Sequence, residues 1–156
     1  TVASSVSKEN LAIAKSWLAS SDEYNLLVNG TAITAFPVYY QNDLALLRQS
    51  LRIVQAGTEV AEVKGKDLIP AHGLAMSRLL KTSVFPTEAL TYEQAIAYLR
   101  KEAIVLPPSV PRGYVLVTYK EIPLGFVKNI GNRANNLYPQ EWRIRSGYLP
   151  DDIRTL

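Results

Sequence analysis

Four cations, Lys128, Arg133, Arg143 and Arg145, fall within eighteen residues and are interleaved with Asn129, Asn132, Asn135, Asn136, Tyr138 and Trp142. Such a mixture has the chemistry of RNA recognition. Cations neutralise phosphates, amide side chains reach base edges or a 2′-hydroxyl, and aromatic rings stack on a splayed base. An architectural reading of the same residues is equally simple. Asparagines serve turns, Tyr138-Pro139 packs a core, and arginines cover exposed strands.

Elsewhere the chemistry-bearing residues stand alone. There is no cysteine and one histidine, His72, which excludes disulfides, thiolate nucleophiles and Cys-ligated metal. A lone imidazole after Pro70-Ala71, without a nucleophile or ligand set, belongs at a helix start or in a structural hydrogen bond rather than in catalysis. Asp151-Asp152 pairs two carboxylates, but near the C-terminus, where solvation is expected. Lys64-Gly65-Lys66 suits a solvated hairpin turn, with a minor phosphate contact as the alternative. Trp17 suits packing of the first helix.

The elements that must position these residues can be read from periodicity and turn chemistry. Ser7 as N-cap and apolar residues at three- and four-residue spacing predict a helix over 7–18. Asn29-Gly30 between the apolar runs 24–28 and 32–36 predicts a hairpin, because both turn residues accept positive φ. A short helix is expected over 42–51, strands over 52–55 and 59–63, and a charged turn over 64–67. Leu68-Ile69-Pro70 is then expected to lead into a helix over 72–80. Pro86 marks a boundary, and Thr91-Tyr92-Glu93-Gln94 forms a capping-box pattern for a helix reaching Lys101. Strands follow over 103–106, 114–119 and 122–127, the last two joined at Lys120-Glu121. Residues 129–139, with four Asn, one Gly and one Pro, read as loop, and 142–145 as one more strand.

Composition sets the class. The 156 residues, 47% hydrophobic, suffice for one ordinary domain or two small ones with a real core. The formal charge is +3 and unevenly spread. Residues 1–86 carry eight Lys and Arg against seven Asp and Glu, 87–111 two against three, and 112–156 seven against four. The basic excess therefore sits in the C-terminal third, which permits a polyanionic partner. No signal peptide or long apolar run stands out, so a cytoplasmic location is expected. The chain starts at Thr, and Met76 is its sole methionine. It is accordingly expected to be part of a longer protein that could hold an activity elsewhere.

The pattern G-x-x-K-x-x-G-N-R-x-x-N-x-Y-P-x-x-x-R, carried by Gly125, Lys128, Gly131, Asn132, Arg133, Asn136, Tyr138, Pro139 and Arg143, resembles the closing domain of RsmF/YebU-type methyltransferases. Those enzymes make 5-methylcytosine in small-subunit ribosomal RNA. Residues 51–57 and 68–76 are similar to the small domain that links the catalytic and PUA-like parts of that family. The resemblance spans roughly 24–145. It implies an α+β chain of two small domains, the second a PUA-like β-barrel of short strands with one helix. The units would be a helical linker over 1–22, a linking domain over 23–86 and an RNA-binding domain over 87–156.

The resemblance also implies a division of labour. The family attacks cytosine with one cysteine thiolate and releases product with a second, and this chain has neither. It also lacks a glycine-rich strand-turn-helix, so S-adenosylmethionine would belong to a catalytic domain outside this sequence. The chain itself is expected to need no cofactor or metal and to catalyse nothing. Its expected partners are ribosomal RNA and that catalytic domain, with no membrane or DNA. Lys128, Arg133, Arg143 and Arg145 would neutralise phosphates, while Asn136 and Tyr138 would shape the binding loop or touch bases. The alternative is a scaffold module that docks the catalytic domain or a ribosomal protein. Cations on one exposed face beside an aromatic would favour RNA; pairing with Glu121 and Glu141 would favour the scaffold.

Overall fold

The computed structural model describes residues 6–37, 57–81 and 83–145. The helix expected over 42–51, the strand over 52–55, the matching stretch up to Ala56 and Asp151-Asp152 lie outside the described residues.

Helix α1 (Lys8–Ser16) begins where the Ser7 side chain accepts from the Asn10 amide. It ends against residues 79–81: the Ala19 amide donates to the Leu79 carbonyl and the Lys81 amide to that of Trp17. Strands β1 (Tyr24–Asn29) and β2 (Ala32–Pro37) form the hairpin that Asn29-Gly30 predicts. Strand β3 (Thr58–Lys64) pairs with β2 and with β4 (Asp67–Pro70), completing an antiparallel sheet in the order β1-β2-β3-β4. Residues 68–70 are thus an edge strand, where the sequence suggested only a lead-in to a helix. That helix, α2 (His72–Met76), is also shorter than expected. Ser77 leaves helical geometry, its hydroxyl donating to the Leu74 carbonyl and accepting from the Leu79 amide.

The second sheet has the order β5-β6-β7-β8, built from β5 (Thr87–Ala89), β6 (Gly113–Tyr119), β7 (Ile122–Asn129) and β8 (Ala134–Asn136). Helix α3 (Tyr92–Leu99) carries the full capping box between Thr91 and Gln94. Three expectations shift here. Strand β8 lies in the stretch read as loop, because a three-residue edge strand of Ala and Asn has no apolar period to announce it. Residues 103–106 are not a strand; Ile104 alone bridges Ala134. Residues 140–142 form a 3₁₀ turn in place of part of a strand. Among the described residues the architecture is α+β, with two sheets of short strands and no closed barrel.

Strand alternation explains how the sheets meet. Val115, Val117 and Val127 face α3, in a core with Leu90, Ala95 and Tyr98. Leu116 and Phe126, pointing the other way, join Trp17, Ile33, Val60, Leu74 and Phe85 in the core of the first sheet. The second sheet is covered on both faces, which is why 114–117 reads as an unbroken apolar run. The segment read as a linker contributes Val6, Ala14, Trp17 and Leu18 to that first core.

Candidate RNA-binding surface

The loop after β7 is held from beneath by one buried amide. Asn129 donates through Nδ2 to the carbonyls of Val110 (3.2 Å) and Pro111 (3.0 Å), and its Oδ1 accepts from the Gly131 amide at 3.1 Å. With the Ile130 amide donating to the Arg133 carbonyl at 3.0 Å, residues 130–133 become an ordered turn. Arg133 and Asn132 are exposed on it. Gly131 sits at φ +104°, and a β-carbon there would come within 3.0–3.2 Å of the Arg112 guanidinium. The Arg112 guanidinium therefore lies against the bare glycine. Sequence reasoning left Arg112 out of the site, since it precedes β6 by one residue and is far from the motif. The usable signal was its place in the basic C-terminal third.

Lys128 is engaged elsewhere. Its Nζ contacts Asp67 Oδ2 at 3.1 Å, joining β7 to β4 of the other sheet, and lies 5.6 Å from the Tyr114 ring centre. The hydrogen bond to Asp67, with the neighbouring Tyr114 and Asp67 charges, raises its pKa above the ordinary lysine value. Arg133, Arg143 and Arg145 form no ion pair with Glu121, Glu141 or any other carboxylate among the described residues. Arg143 is half-buried and Arg145 exposed, both beyond the 3₁₀ turn, so they follow the loop in sequence without sharing its turn.

Asn136 and Tyr138 are built into the fold. Asn136 Nδ2 donates to the carbonyls of Tyr98 (2.7 Å) and Glu102 (2.9 Å), while its Oδ1 accepts from the Tyr138 amide at 2.8 Å. The side chain thus closes the C-terminal end of α3, where carbonyls lack partners, and both amide hydrogens are used. Lys101 Nζ donates to the Asn136 carbonyl at 2.8 Å. Burial lowers the Lys101 pKa against the opposing effect of Glu141. The Tyr138 ring meets Tyr98 and His72 edge-on, at 5.5 and 5.3 Å between centres.

His72 opens α2, as its position after Pro70-Ala71 suggests. Its Nδ1 is buried without a hydrogen-bond partner among the described residues. The ring stands against Tyr138 and against Trp142 at 5.2 Å. Burial lowers its pKa below the ordinary imidazole value. Gly125 makes this junction possible. At φ +150°, it admits the Tyr98 hydroxyl and the His72 ring on ground that a β-carbon would occupy. The Tyr98 hydroxyl donates to the Phe126 carbonyl at 3.0 Å, and burial pushes its pKa up. The glycines and amides of the motif thus mainly shape the surface. Arg133 is the cation that the ordered turn presents, and Arg112 packs against its Gly131.

Residues 85–144 match the family described as the methyltransferase RsmF PUA domain. The chain is 29% identical over 138 residues to ribosomal RNA small subunit methyltransferase F of Enterobacter sp. (strain 638), covering 88% of this chain and 27% of that protein. It is 28% identical over 99 residues to the protein of the same name from Klebsiella pneumoniae (strain 342), covering 64% of this chain and 20% of that one. The chain therefore spans about a quarter or less of the length of these relatives. The resemblance read from the motif is found again, and the family match covers the second sheet.

Proposed function

We propose that this chain is the RNA-binding, substrate-positioning C-terminal region of an S-adenosylmethionine-dependent ribosomal-RNA cytosine-C5 methyltransferase. The observation that carries this reading is the ordered turn that exposes Arg133 and packs its Gly131 against the Arg112 guanidinium, within the segment matching the RsmF PUA domain. Guanidinium groups without carboxylate partners among the described residues suit phosphate oxygens, which accept bidentate hydrogen bonds. Contacts of this kind set the register of the RNA and leave the choice of base to other groups.

Methyl transfer and the cofactor belong, in this proposal, to the catalytic domain of the longer protein. Four glycines of this chain serve structural purposes in this reading. Gly30 and Gly65 serve hairpin turns, Gly125 admits Tyr98 and His72, and Gly131 lies under Arg112. The division into a linking domain over 23–86, whose core the segment 1–22 joins, and an RNA-binding domain over 87–156 is part of the same proposal. The scaffold alternative draws on the Lys128–Asp67 pair, which commits one of the four expected cations to joining the sheets. Binding of the chain to small-subunit ribosomal RNA across a salt series tests the proposal. A saturable, salt-sensitive complex supports it, and no complex at low salt refutes it.

A further inference from the structure

The two units enclose an open cleft of about 810 Å³ that the basic turn does not use. One wall is β3, the second is α2, and the third is the stretch from Leu137 to Trp142. Its construction depends on a bulge. Ile33 pairs with Ala61 and Thr34 with Glu59, so Val60 is the extra residue. In a regular strand Glu59 and Glu62 would face opposite ways. The bulge shifts the phase, so that Val60, Ala61 and Val63 are buried while Glu59 and Glu62 are both exposed and line the cleft. Gly73 on α2 then packs close to the bulge, where a β-carbon would stand 3.1 Å from the Glu59 carbonyl oxygen.

The lining has a definite chemical character. Trp142 and Met76 are 62% and 50% exposed, large apolar groups left open to the cleft. The indole stands nearly perpendicular to the His72 ring, which braces it. Glu59, Glu62 and Glu141 face two lysines, Lys64 and Lys101. A phosphate would therefore meet net repulsion. A flat ring carrying an N–H donor would meet an aromatic surface and carboxylate acceptors. Partial desolvation, with Glu62 nearby, holds the Glu59 carboxyl above its usual pKa.

We propose that this cleft takes one unstacked nucleobase bearing an exocyclic amino group, its ring against Trp142 and its amino edge toward Glu59 and Glu62. The inference rests on the RNA-binding reading above and adds a base-selective site to it. Stacking on an aromatic side chain is tolerant of sequence, so selectivity comes from the carboxylates, which accept from an amino group such as cytosine N4. Uracil, a ring of the same size with a carbonyl in that place, gains less.

The test is a fluorescence titration of the chain with oligo(C) and oligo(U) of equal length. Binding of oligo(C) should quench the exposed Trp142, and the quench should vanish in Trp142→Phe, because Trp17 is buried. Trp142→Ala should weaken oligo(C) by roughly 5- to 150-fold with the salt dependence unchanged. Glu62→Gln should reduce the preference for oligo(C) over oligo(U). If RNA binds with an Arg133-dependent salt slope, yet Trp142→Ala binds equally well and no quench occurs, the cleft is not a base site. A protein partner would then be the better occupant. If the chain binds no RNA at all, the reading beneath this inference fails and the inference falls with it.

Discussion

Replacing Asn136 separates a base-contacting residue from a structural one. Its side chain makes three hydrogen bonds of 2.7–2.9 Å, two closing the carbonyl end of α3 and one holding the Tyr138 amide. A hydrogen bond contributes about 0.5–1.5 kcal/mol net, and a partner left unsatisfied in a buried place costs more. Water can reach the Glu102 carbonyl, which is on the exposed side, so Asn136→Ala should cost about 2–3 kcal/mol. At about 2–4 °C per kcal/mol for a chain of this size, the melting temperature should fall by about 4–12 °C. Asn136→Asp should cost more, because an acceptor would then face the carbonyls of Tyr98 and Glu102. That site would raise the carboxyl pKa in the folded state, so the stability of this variant should be lost as pH rises through the raised value. Urea denaturation followed by circular dichroism measures both changes, and RNA titration at a temperature where the variants remain folded completes the assay. The expected result is lost stability with RNA affinity retained. An Asn136→Ala chain within about 0.5 kcal/mol of wild type but with much weaker RNA binding would refute the structural assignment.

Three further perturbations follow from the geometry. Gly125→Ala should destabilise the chain by more than about 3 kcal/mol, since positive φ and overlap with the Tyr98 hydroxyl act together; thermal unfolding checks this. Asp67→Asn should free Lys128 from its ion pair and steepen the salt dependence of RNA binding by up to about 0.7 in the log–log slope, a change that Lys128→Gln should abolish. Burial lowers the His72 pKa, so below the unfolded value of about 6.5 the unfolded chain binds more protons. Its contribution should be full above that value and fall as pH drops toward the folded pKa, and His72→Leu should flatten this part of a pH–stability curve.

Local chemistry made part of this molecule legible. Asn29-Gly30 announced its hairpin, Ser7 its helix, and Thr91 with Gln94 its capping box, because each signal is complete within a few residues. The motif from Gly125 to Arg143 located the informative surface, but its residue types could not assign roles. Asn136 closes a helix end formed 34–38 residues earlier in the chain, and Lys128 pairs with a carboxylate 61 residues away. Such partners are set by tertiary contact, which spacing does not encode. Strand β8 was hidden because edge pairing needs backbone groups more than apolar side chains. The bulge at Val60 was hidden for a similar reason. A β-branched residue between Glu59 and Ala61 looks like regular strand, and only the register against Ile33 and Thr34 reveals the extra residue.

The central claim is that Arg133, on the turn after β7, and the other arginines of the basic C-terminal third hold RNA phosphates. Its most direct test is the salt dependence of binding to single-stranded ribosomal RNA for the wild-type chain and Arg133→Ala. Three to four phosphate contacts, drawn from Arg112, Arg133, Arg143 and Arg145, predict a log–log slope of about −2 to −3 at ~0.7 per contact. Arg133→Ala should weaken binding and flatten the slope by about 0.7, with the melting temperature unchanged because the exposed side chain forms no hydrogen bond or ion pair among the described residues. A folded Arg133→Ala chain with wild-type affinity and slope would contradict the claim and favour the scaffold reading.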